Sequence, residues 1–177
     1  REAFYKAFYN ACRRTGKELW GNIETAEILA RDWEHALEME RNGTQVWRFT
    51  PIDWLQEKIE LAAQYTTGIV SWGYYPYMDP STDNSPLVVH GSGMDNVTRQ
   101  ANYNAYLEYQ KRVSSTIPTG MKVQPQIKGT LWWFPTDLGS LDGEELETAI
   151  RKEITNQKKL GFEYIWLVNA CNHFVVK

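Results

Sequence analysis

Cysteine is scarce in this chain: Cys12 and Cys171 are the only two, far apart and outside any metal-ligand spacing. A disulfide framework and a thiolate metal centre are therefore not spelled out, and both residues read as buried free thiols. Lys and Arg never run beyond two in a row, and the net charge is −3. That balance gives no basic field for nucleic acid or an anionic membrane. No apolar stretch approaches the roughly 20 residues of a membrane span. No GxGxxG and no P-loop opens a helix. Gly91-Ser92-Gly93 lies in a proline-containing loop and reads as flexible chain, so neither a nucleotide nor another cofactor is expected. The first residue is Arg, already inside a helical pattern, so the chain reads as a piece of something larger and the lack of a leader carries no message.

Aromatic residues are abundant. Eight Trp and ten Tyr in 177 residues can fill a core, or leave rings exposed as a platform on which sugar CH faces pack. Four segments share one grammar, an apolar run giving way to Trp, Tyr, Asn or a carboxylate. They are Lys17 to Glu24, Gly68 to Tyr75, Gly129 to Phe134 and Tyr164 to Asn169. Helical patterns alternate with them. Residues 2–15 place Phe4, Phe8, Ala11 and Cys12 on one face, and Gly16 follows as a left-handed stop. Residues 26–41 fit a helix carrying Ile28, Leu29, Trp33, Ala36 and Leu37. Thr50-Pro51-Ile52-Asp53 predicts a capped helix start, with Leu55, Ile59 and Ala62 inward. Further helices are expected over 99–113 and from the Asp142/Glu145 capping box to Gly161, the latter burying Leu146, Ile150, Ile154 and Gln157. Buried strands alternating with helices predict an α/β fold with a parallel sheet.

In such a fold the carboxyl ends of the strands form the functional face. Trp20, Asn22 and Glu24 alternate along one strand and so share a side. Glu24 is the candidate catalytic carboxylate, with capping of the next helix or pairing with an Arg as its plain alternative. Glycosidic hydrolysis needs a second carboxylate, about 5 Å away for retention or about 6.5–9.5 Å for inversion. By position the partners are Asp137, then Asp79, then Glu27. Trp72, Tyr74, Tyr75, Trp132 and Trp133 are candidate stacking rings, and Asn169 and His173 candidate hydrogen-bonding groups for hydroxyls.

Two blocks also resemble a known family. Trp20-x-Asn22-x-Glu24, then Arg48-Phe49 at a helix start, then an Ile69-Val70-Ser71-Trp72 strand with tyrosines, resemble the later part of a bacterial TIM-barrel family described as glycoside-hydrolase-like and of unknown function. Residues 127–169, from Ile127-Lys128-Gly129-Thr130-Leu131-Trp132 to a strand ending at Asn169, resemble the opening of the same barrel. The resemblance implies a partial or rearranged TIM-barrel-like architecture. Segment 1–113 is late-barrel-like, 114–126 a linker and 127–177 early-barrel-like, with the late strands preceding the early ones. It implies a glycoside hydrolase acting on an oligo- or polysaccharide, with a secreted or periplasmic setting. Four strands cannot close an eight-stranded barrel of about 250 residues, so a homo-oligomer or a partner chain is expected to complete it. A non-catalytic carbohydrate-binding module and a structural or engineered α/β fragment are the alternatives.

Overall fold

A computed structural model describes residues 1–72, 77–78, 96–113, 117–133 and 143–168, with the backbone alone at residues 96, 131–133 and 166–168. Helix α1 (Glu2–Thr15) leads to strand β1 (Trp20–Glu24), and then come β2 (Ala26–Ile28), helix α2 (Trp33–Arg41) and β3 (Trp47–Phe49). Helix α3 (Ile52–Ala63), β4 (Gly68–Trp72), α4 (Asn96–Val113), β5 (Gly129–Trp133), α5 (Gly143–Lys159) and β6 (Tyr164–Val168) follow. Strands β1, β4, β5 and β6 form one all-parallel sheet in that order. This is an α/β fold, as the alternation of patterns predicts. The earlier and later segments of the chain meet inside the sheet, where Val70 of β4 stands in register with Gly129 of β5.

Each step in the sheet moves one place in the same direction. Right-handed crossovers, the strong rule for parallel strands, then put the connecting helices on a single face. The side chains agree. A Cβ on Gly21 would meet Ala62 of α3 at 3.4 Å. Leu55, Ile59 and Ala62 are fully buried in one cluster with Ile23 and Ile69. Helix α4 extends the same layer: Tyr106 Oη accepts the Ile127 amide at 2.8 Å, and the Tyr109 hydroxyl donates to the Pro125 carbonyl. Tyr103 reaches the Asn156 carbonyl of α5 at 2.9 Å. Burial pushes all three phenols up, and Glu153 adds to the rise at Tyr103.

Several local expectations are corrected. Residues 26–28 are not helical. They form β2 and pair antiparallel with β3, so Arg48-Phe49 is a strand rather than a helix start. Helix α2 begins only after Asp32, whose carboxylate accepts the His35 amide at 2.8 Å, and Trp33 is 70% exposed. Thr50 does not cap α3. Its amide donates to the Thr25 carbonyl at 2.8 Å, closing the ribbon onto the end of β1. On α5 Leu146, Ile150 and Gln157 face the core as expected, but Glu153 is buried and Ile154 is 43% exposed. Asp142 lies outside the described residues, as does Cys171, while Cys12 is a half-buried free thiol.

The stop at Gly161 follows the sequence reading, with φ of 79°. A Cβ there would also lie 2.8 Å from Nε2 of Gln110. Gly161→Ala is expected to cost roughly 1–2 kcal/mol from the left-handed backbone alone. Urea denaturation measures it, and an unchanged midpoint would show that neither constraint is felt.

Candidate functional site

The site grows from the alternation of β1. Gly21 and Ile23 point into the helix layer and are buried, whereas Trp20, Asn22 and Glu24 are exposed on the opposite face. That face lacks a helix layer among the described residues. Its neighbours follow from parallel register: Trp20 stands beside Gly68, Asn22 beside Val70, and Glu24 beside Trp72. The Trp20 ring lies over Gly68 and meets the ring of Tyr164 on β6 edge-on, with centroids 6.0 Å apart. Two aromatic residues from opposite ends of the sheet thus span the face near the start of the strands.

Gly68 is what admits this ring. A Cβ on Gly68 would fall 2.6–2.8 Å from three atoms of the Trp20 indole. The ring is 40% exposed and its indole N–H donates to Glu18 at 3.3 Å, so it can yield outward by giving up surface contacts, and Gly68→Ala is expected to cost only about 1 kcal/mol. It should still part Trp20 from Tyr164. The Trp20 indole N–H resonance should move, and an unchanged resonance would contradict the packing described here.

Glu24 occupies the carboxyl end of β1. The ribbon of β2 and β3 sits just beyond it, fixed by both the amide and the hydroxyl of Thr25, which donate to the Trp72 carbonyl at 3.3 and 2.8 Å. The ribbon brings Trp47 edge-on against Trp72, at 6.3 Å between centroids. Glu27, on the ribbon, is engaged by Arg48.

Asn22 and Glu24 also line a cleft of ≈ 460 Å³ along the outer side of β1, between α1 and α3. Phe4, Tyr5, Ile23 and Leu61 supply apolar walls, and Arg1 and Lys58 supply positive charge. Lys58 is half-buried and donates to Thr50 Oγ1 at 3.3 Å. Burial lowers its pKa, Arg1 lowers it further, and Glu27 and Glu24 oppose the shift. No second carboxylate lines this cleft among the described residues.

Of the residues singled out by sequence, Trp20, Asn22, Glu24 and Trp72 come together at β1 and β4. Trp132 and Trp133 lie on β5, where Trp133 is two positions beyond the residue in register with Trp72. Tyr74, Tyr75, Asp79, Asp137, Asn169 and His173 lie outside the described residues. Lys58, Trp47 and Tyr164 were not singled out. Lys58 flanks the apolar stripe of α3, and only the fold carries it to Glu24.

Among the described residues no group of three His, Cys, Asp or Glu side chains could hold a metal ion, and no helix is long and apolar enough to cross a membrane. No protein-family model, curated protein or solved structure matches this chain.

Proposed function

We propose that this chain is carbohydrate-active, with Glu24 as the principal carboxylate of a glycoside-hydrolase site. The observation that carries the reading is the exposure of Trp20, Asn22 and Glu24 on one sheet face, while Gly21 and Ile23 between them are buried. An indole offers a flat apolar surface for a sugar ring, an amide offers both a donor and an acceptor for hydroxyls, and a carboxylate can serve as acid, base or nucleophile. The position at the carboxyl end of a parallel strand is where such folds gather their chemistry. The resemblance of the Trp-x-Asn-x-Glu strand to the glycoside-hydrolase-like barrel supports the same residues. The substrate class is an oligo- or polysaccharide, and the second carboxylate is assigned to Asp137, with Asp79 next.

A carbohydrate-binding module is the second reading. It is favoured by one feature: Glu27, the carboxylate nearest to Glu24 in the chain, is engaged by Arg48.

A panel of oligosaccharides tests both. Binding is followed by calorimetry and hydrolysis by release of reducing ends, with wild type and Glu24→Gln. Hydrolysis lost in the variant while binding persists supports the hydrolase. Equal binding without hydrolysis in both proteins supports the module, and an absence of binding to every sugar overturns both.

A further inference from the structure

Among the described residues the outer strands of the sheet are open edges: β1 pairs only with β4, and β6 only with β5. The flanking hydrogen bonds fix which backbone groups face outward. Leu19 accepts from Thr67, and Thr25 donates to Trp72. Odd-numbered residues of β1 therefore turn toward β4, because peptide groups alternate along a strand, and Asn22 and Glu24 present N–H and C=O groups to the free edge. At the other edge Tyr164 donates inward to Lys128, so the peptide groups of Ile165 face outward.

Both edges carry apolar side chains with charges beside them, Arg1 and Lys58 at β1 and Lys158 and Glu163 at β6. Helix α1 has no buried residue, and Phe4 and Phe8 are 65% and 49% exposed on it. Their helix flanks β1, leaving the slot of ≈ 460 Å³ already described. Beside β6 a second cleft of ≈ 460 Å³ is lined by Ile154, Phe162, Tyr164 and Ile165, with Ile154 and Tyr164 43% and 48% exposed. A strand with an apolar flank would fill the first slot, and β6 is such a strand.

We infer that two copies of this chain associate head to tail, β6 of each docking in parallel beside β1 of the other. The count supports a second copy as the occupant. Twice the four parallel strands of the described residues is eight, the number at which side chains just fill a closed barrel. A twofold axis along the strands keeps all eight parallel and fills both slots at once, so the assembly closes. Pairing also removes two open edges that invite uncontrolled association. The exposed face bearing Trp20, Asn22 and Glu24 becomes the interior, with Glu24 of each copy at its carboxyl mouth. This inference is independent of the sugar reading.

Light scattering after size exclusion, over a range of concentration, should give twice the 20.6 kDa of one chain. Asn22→Pro removes an outward N–H that bonds to nothing within the sheet, and Ile165→Pro does the same at the other edge. Each variant alone should yield a folded monomer, and Ile165→Pro should also melt lower because the Ile165 side chain packs against the core cluster. Hydrogen exchange on the unmodified protein gives a second test: the amides of Asn22, Glu24 and Ile165 should be protected, and dilution should release them. A monomer at every concentration, or an open-ended assembly, overturns the inference. So does a dimer that survives Ile165→Pro, since it would join through β1 alone, or one whose three amides exchange freely.

Discussion

Glu24→Gln is expected to lower kcat on the responding oligosaccharide by about 10²–10⁴-fold, the range over which a positioned acid or base contributes. That is about 3–5 kcal/mol of activation free energy. Glutamine keeps the shape and the hydrogen-bonding reach of the side chain but loses both its charge and its transferable proton. The residue is exposed at the end of β1. Folding stability should therefore change by less than about 0.5 kcal/mol, as for an ordinary surface substitution. Substrate affinity should also hold, because the proposed site leaves stacking and hydroxyl contacts to Trp20, Trp72 and Asn22. The pattern is a fall in kcat and kcat/KM together, the sign of an interaction made only in the transition state. A kcat within a few-fold of wild type would remove Glu24 from the chemistry. A rise in KM with kcat intact would make it a binding group instead.

The strands of the main sheet were legible in the sequence because each is a compact apolar run flanked by turn residues. For β1 more could be read. Its exposed and buried residues alternate, so Trp20, Asn22 and Glu24 fall on one face whatever lies beyond. The ribbon was not legible. Residues 26–28 and 47–49 are too short to establish a period, and Ile28, Leu29 and Ala36 fit a helical stripe equally well. What selects the ribbon is tertiary: Thr25 ties to Trp72, and Thr50 ties to Thr25.

The exchange of Ile154 for Glu153 on α5 has the same cause. A carboxylate reads as solvent-facing until a neighbouring helix is known, and here Tyr103 of α4 lies beside that turn. Lys58 shows the corresponding gap for the site. No local pattern links it to Glu24, 34 positions away in the chain, and both line one cleft only because α3 packs back along β1.

That packing makes Leu55 the most sensitive core position near the site. Leu55 is fully buried on α3, one turn ahead of Ile59 and two ahead of Ala62. Ala62 lies against Gly21, so the stripe runs along β1 toward its carboxyl end. Leu55→Ala removes three carbons from a close-packed layer whose backbone is held on both sides, by the ribbon before α3 and by β4 after it. Collapse into the space is therefore limited, and the expected loss is about 2–5 kcal/mol. For a domain of this size each kcal/mol lowers Tm by roughly 2–4 °C, so the melting point should fall by about 4–20 °C. Ile52 and Trp47 pack against the same cluster, and Trp47 touches Trp72. Loosening the layer should therefore weaken sugar binding at temperatures well below the new Tm, whereas Glu24→Gln should leave binding intact. Calorimetric melting together with binding isotherms separates the two effects. A Leu55→Ala protein that melts within a degree or two of wild type would mean that α3 does not carry the sheet, and the support for Glu24 would have to lie elsewhere.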